Sequence, residues 1–115
     1  AGVAACEATL EPGYARSVVV LGSDGQVYHL DVATGDLLAQ RSVVAAFDCG
    51  ASLSPHLAVA PSRAYVTDPE ARSVVELWLD NELEELATFG LAVRPAGIAI
   101  AGVDFATRNL GDLDD

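Results

Sequence analysis

An all-β fold is predicted from three observations: glycine turns set between apolar runs, short runs rich in valine and leucine, and a motif that returns after forty-odd residues. The apolar run Val18 to Leu21 and the alternating run Val27 to Val32 flank Asp24-Gly25, where a glycine free to take positive φ closes a tight hairpin. Ala33-Thr34-Gly35-Asp36 follows, its glycine placed for the left-handed position after a type I turn, a common way to close a slightly longer hairpin. Three consecutive antiparallel strands result, over Ser17 to Leu21, Gln26 to Val32 and Leu37 to Val43.

The motif that returns is Cys6-Glu-Ala-Thr-Leu-Glu-Pro12, which aligns with Cys49-Gly-Ala-Ser-Leu-Ser-Pro55 at one constant offset. In the second copy the expected strands are Leu57 to Ala60 innermost, Ala64 to Thr67, Ser73 to Leu79, and Glu85 to Phe89 outermost. Only the acidic segment Asn81 to Leu86 reads as a helical turn. Pro95 to Ala101 echoes Pro55 to Ala60 and opens a third copy. A period of this length filled by short strands is the signature of a β-propeller blade, a four-stranded sheet whose two faces pack on its neighbours. Burial on both faces also explains why Val18 to Leu21 is apolar throughout while outer strands alternate. The fold class is therefore all-β, with four-stranded antiparallel blades of the β-propeller type and a partial propeller of about two and a half repeats. Residues 1–46 form a first, partial blade, 47–91 a second, 92–103 the inner strand of a third, and 104–115 an acidic tail. Rings need about four blades or more to close. The chain is then a piece of a larger propeller, or it covers its open faces by self-association.

Composition bounds the partners. The chain has 115 residues, 51% of them apolar, enough for one small core, and no apolar run nears the roughly 20 residues of a membrane span. No charged-then-apolar leader opens it, and the start at Ala1-Gly2 with no methionine fits a processed or excised piece. Its 17 acidic and 6 basic side chains give a formal net charge of −11, which repels nucleic-acid backbones and anionic lipid. No phosphate loop, dinucleotide fingerprint, zincin helix, C-x-x-C pair or nucleophile elbow occurs, which weighs against an enzyme.

Cys6 and Cys49 share a position in the aligned motif, and three states are open to them: a disulfide between neighbouring blades, two buried thiols, or a thiolate metal site with His56. His56 follows Pro55 just before an inner strand, where a propeller presents side chains to the mouth of its channel. It reads either as a ligand-binding residue or as a histidine hydrogen-bonded within a turn. His29, alternating with Val27 and Asp31, reads as a packing residue between blades. Tyr28, Tyr65, Trp78, Phe47 and Phe89 read as strand aromatics that fill the same space, and Asp68-Pro69-Glu70 as a turn.

Arg63-Ala-Tyr-Val-Thr-Asp68, preceded by Pro55-His-Leu-Ala-Val-Ala60 and followed by Ser73-Val-Val-Glu-Leu, resembles the repeat of the YVTN-type β-propellers, with Asp68 in place of the motif's asparagine. Within that superfamily these runs, with Leu21-Gly-Ser-Asp-Gly25 earlier, are similar to the closing blades of the periplasmic zinc metallochaperones that serve zinc ABC transporters. The resemblance covers roughly residues 5 to 103. It implies a periplasmic or secreted protein that carries zinc, with a zinc transporter's binding protein as partner; at the channel mouth His56 would serve as the metal ligand through a neutral imidazole nitrogen, with carboxylates such as Asp48 or Asp68 as co-ligands. The stretch from Asp24 to Ala39 is also similar to quinoprotein propellers, in which a tryptophan normally follows the Thr-Gly hairpin; here that position is Ala39. A quinoprotein-like or lactonase-like enzyme, and a protein-interaction scaffold without ligand, are the alternatives to zinc binding and delivery.

Overall fold

A computed structural model of the chain describes residues 3–12, 17–51, 53–101 and 104–109, with side chains described up to residue 98. Strands β1 (Ala5–Leu10), β2 (Ser17–Gly22), β3 (Gln26–Asp31) and β4 (Leu37–Ser42) form one antiparallel meander. A second comprises β5 (Leu57–Ala60), β6 (Arg63–Asp68), β7 (Ser73–Trp78) and β8 (Glu84–Gly90). β9 (Pro95–Ala101) and β10 (Asp104–Asn109) pair as a hairpin. The innermost strands follow one another, β5 lying against β1 on one side and β9 on the other. The chain is a partial β-propeller of two four-stranded blades and the start of a third.

The glycine turns explain the first meander. Gly25 takes φ 82° and Gly35 φ 77°, both left-handed, and Asp31 Oδ1 accepts the amides of Ala33 (2.8 Å) and Thr34 (3.2 Å) to hold the second turn. A register shift between His29 and Leu30 marks the bulge that accompanies it. Each blade also secures its outer strand by the same device. The Gly25 carbonyl accepts the amides of Val43 and Val44 at 3.0 and 3.1 Å, and the carbonyl of Arg72, at φ 52°, accepts that of Leu91 at 2.7 Å. Residues in the second blade thus repeat the first, with Arg72 in the left-handed place that glycine fills in blade one.

Strand parity places the core. Val19, Leu21 and Val27 of blade one meet Leu57, Val59, Ala64, Val66, Val75 and Leu77 of blade two in one buried cluster. On the opposite face of blade two, Ala60, Tyr65 and Val74 pack on Leu91 and Ile98. Period-two alternation therefore gives both faces of blade two an apolar partner, and this is why β5 is buried along its whole length.

Five expectations change. Blade one has all four strands: its inner strand, β1, alternates Glu7 and Thr9 with Ala8 and Leu10 and so lacks the continuous apolar run that marks β5. The aligned cysteine motifs are not equivalent places, because Cys6 lies in β1 and Cys49 in the connection that precedes β5. Residues 104–109 are strand rather than tail, since Asp104–Asn109 pairs back on β9; residues 110–115 lie outside the described residues. The helical turn falls at Leu79–Asn81, because pairing of Trp78 with Glu84 commits the following residues to β8. Phe47 lies in a connection against the core, and Phe89 is 39% exposed, so these two aromatics do not fill a blade interface from a strand in the way Tyr65 does.

Candidate functional site at the seam between two blades

Glu7 pairs with Leu21 and Thr9 with Val19, so the side chains of Glu7, Thr9 and, by continuation, Glu11 share the face that looks toward blade two. Both glutamates cross the seam. Glu7 Oε1 accepts the Leu57 amide at 2.9 Å while its Oε2 meets Nδ1 of His56. Glu11 Oε2 accepts the Ser62 amide at 2.9 Å, and its Oε1 accepts the Ser17 hydroxyl at 2.8 Å. One carboxylate thus closes each end of the short inner strand β5.

At the Glu7 end, His56 is fixed on both sides. Its amide donates to Thr67 Oγ1 at 2.8 Å and its carbonyl accepts the Thr67 amide at 2.9 Å, which sets the backbone against β6. Its ring gives Nδ1 to Glu7, with the two side chains 36% and 29% exposed. A carboxylate at Nδ1 selects the tautomer that carries its proton there, leaving the Nε2 lone pair as the free donor of a half-exposed side chain. Beside them, Cys6 and Cys49 are joined as a disulfide, with Cα atoms 5.3 Å apart. Cys6 is the extra residue of a bulge between Ala5 and Glu7, so the bridge ties β1 to the loop leading into β5 immediately next to the Glu7–His56 pair. This bond excludes the free-thiol and thiolate-metal alternatives in the oxidised chain.

His56, Asp48 and Asp68 do not come together. Asp48 Oδ1 accepts the Gly50 amide at 3.0 Å, and Asp68 Oδ1 accepts the Ala71 amide at 3.3 Å beside a pocket lined by Phe47, Pro55 and Pro69. Each carboxylate is committed to its own turn. Among the described residues no three His, Cys, Asp or Glu side chains converge as a metal-binding group. Glu7 is the partner that sequence reasoning missed. Its signal was present in the period-two alternation Glu7, Thr9, Glu11, which marks a strand with a polar face.

At the Glu11 end, His29 is buried on the seam face of β3 at 7% exposure, with Nε2 3.9 Å from Glu11 Oε1 and no hydrogen-bond partner among the described residues. Burial lowers its pKa below the ordinary imidazole value, while Glu11 and Asp80 pull the other way. On the outer face of the same strand, Tyr28 donates its hydroxyl to Asp24 Oδ2, and that hydrogen bond raises the phenol's pKa.

Comparison of the sequence with known protein families and with curated proteins returns no match. Among solved structures the chain is similar to apo AztD from Citrobacter koseri, with a TM-score of 0.72 and 22% identity over 80% of this chain and 26% of that one. It is also similar to Kuenenia stuttgartiensis hydrazine synthase, with a TM-score of 0.69 and 17% identity over 93% and 33% of the two chains. The WD40 domain of Neurospora crassa Pan2 matches at a TM-score of 0.61 and 14% identity over 87% and 36%. The chain therefore spans between about a quarter and just over a third of the length of these structures. At such identities the likeness carries the β-propeller fold and nothing finer. Among the described residues, no helix is long and apolar enough to cross a membrane.

Proposed function

We propose that this chain is part of an extracytoplasmic β-propeller that binds zinc as cargo and passes it to the binding protein of a zinc transporter, with His56 Nε2 as the donor atom. One observation carries this: the His56 ring is held through Nδ1 by the Glu7 carboxylate, the arrangement by which proteins orient a metal-binding imidazole and raise its basicity. Neutral imidazole suits Zn²⁺, and a site in which the protein supplies few ligands leaves positions open for exchange. Cargo must leave, so an incomplete shell fits delivery better than a closed structural site. The Cys6–Cys49 disulfide fits an oxidising compartment, and the sequence resemblance to periplasmic zinc metallochaperones supplies the transporter partner.

Zinc titration by calorimetry tests this on the intact, oxidised chain. His56→Ala is expected to abolish saturable binding, and Glu7→Gln to weaken it roughly 10- to 100-fold, the usual effect of removing a carboxylate that orients a ligating histidine. Asp48→Asn and Asp68→Asn should leave it unchanged, because both carboxylates serve turns. Wild-type affinity retained in His56→Ala would remove zinc from this site.

A further inference from the structure

At the other end of the seam, Glu11, Ser17, His29, Asp31 and Leu38 of blade one face Ser62 and Asp80 of blade two across an open cleft of about 470 Å³. That volume falls within the roughly 300–1,000 Å³ of small-molecule sites and is far larger than one ion needs. Among the described residues three carboxylates line it, and no lysine or arginine does. All three are fixed in place, Glu11 by the Ser17 hydroxyl and the Ser62 amide, Asp80 by the Ser62 hydroxyl at 2.6 Å, and Asp31 by the Ala33 and Thr34 amides of its turn.

A second observation points to a ligand. His29 is more than nine-tenths buried, lines the cleft, and among the described residues holds Nε2 without a hydrogen-bond partner beside Glu11. A buried polar atom left unpaired costs roughly 1–3 kcal/mol, so one that persists calls for a cause, and a bound ligand is one such cause. Among the described residues the acids and histidine do not converge tightly enough for a metal ion. They are spaced instead for a larger cation that can donate several N–H bonds, and the half-exposed Leu38 offers an apolar wall for its hydrocarbon part.

We propose that this cleft binds an alkyl ammonium or alkyl guanidinium, with Glu11 and Asp80 receiving the charged head, His29 Nε2 accepting one N–H, and Leu38 covering the alkyl stem. The formal charge of −11 draws such a ligand to the surface. Two sources share this chemistry, a free amine and the basic side chain of a partner polypeptide. This site lies at the opposite end of β5 from His56, so zinc titration and cation titration fail or succeed independently.

The test is calorimetric titration of the oxidised chain with three probes: agmatine, acetyl-Gly-Arg-Gly-amide, and 1-butanol as a neutral control. Saturable binding of agmatine or the tripeptide at one per chain, absent for butanol, is expected. Preference for agmatine assigns the cleft to a free amine, and equal or tighter binding of the tripeptide to a partner's side chain. Asp80→Asn should weaken binding about tenfold or more, as loss of a charge-assisted hydrogen bond does, and His29→Leu should weaken it as well. Asp80 is exposed, so its variant keeps the test open even where Glu11→Gln disturbs folding. No saturable binding by either cation, or unchanged binding in Asp80→Asn, overturns the proposal.

Discussion

Glu7 and Glu11, one at either end of the inner seam, each give one oxygen to a backbone amide of blade two and the other to a side chain. Their histidine neighbours differ in burial, and that difference sets their chemistry. His56 is half-exposed and paired, which leaves a donor nitrogen for solvent or metal. His29 is buried, and desolvation lowers its pKa although Glu11 and Asp80 oppose the shift. The sign follows from linkage. An unfolded imidazole takes up its proton near pH 6.5, above the pH at which buried His29 does, so the unfolded chain holds more protons in between. Stability contributed by neutral His29 is complete above about pH 6.5 and is lost as pH falls below it. Thermal midpoints at pH 7.5 and pH 5.0 should therefore differ more for the wild type than for His29→Gln. An equal fall in both proteins would show that His29 is not the group responsible. Neither glutamate stood out in the sequence, because a lone acid in a short strand looks like solvated surface until the strand's partner is known.

Individual strands were far more legible than the seam. Gly25 and Gly35 lie in the left-handed turns expected of them, and β5 spans the expected Leu57 to Ala60. Apolar runs and glycine turns are local signals, and local signals survive without tertiary context. β1 was missed because its period-two pattern is polar on the seam face, and the match of Cys6–Pro12 with Cys49–Pro55 drew attention to a repeat that the strands do not follow. The two glycines also separate in a testable way. A Cβ on Gly25 would come within 2.0 Å of the Val44 carbonyl oxygen, whereas one on Gly35 meets nothing within 4 Å. Gly25→Ala is thus expected to cost both left-handed strain and a displaced backbone, about 3 kcal/mol or more, and Gly35→Ala only the strain, about 1 kcal/mol. Urea midpoints of the two variants check the ranking, and equal losses would mean that the chain leaving β4 does not pack over the first turn.

At the scale of the molecule, three features among the described residues join the blades: the apolar cluster between them, the two glutamates, and the Cys6–Cys49 bridge. The bridge spans 43 residues, and closing a loop of that size restricts the unfolded chain by roughly 4 kcal/mol in the chain-entropy account. The double variant Cys6→Ser, Cys49→Ser should lose roughly 2–4 kcal/mol in urea denaturation while keeping its β spectrum. Loss of all structure would instead make the disulfide a condition of folding. The bridge beside His56 also makes the zinc assignment sharp, since a disulfide offers no thiolate ligand. The most direct measurement is zinc K-edge X-ray absorption on the oxidised chain loaded with one equivalent of zinc. The His56 assignment predicts a shell of nitrogen and oxygen near 2.0–2.1 Å with imidazole outer-shell scattering that disappears in His56→Ala. Sulfur at about 2.3 Å, or an imidazole signal unchanged in that variant, would contradict it.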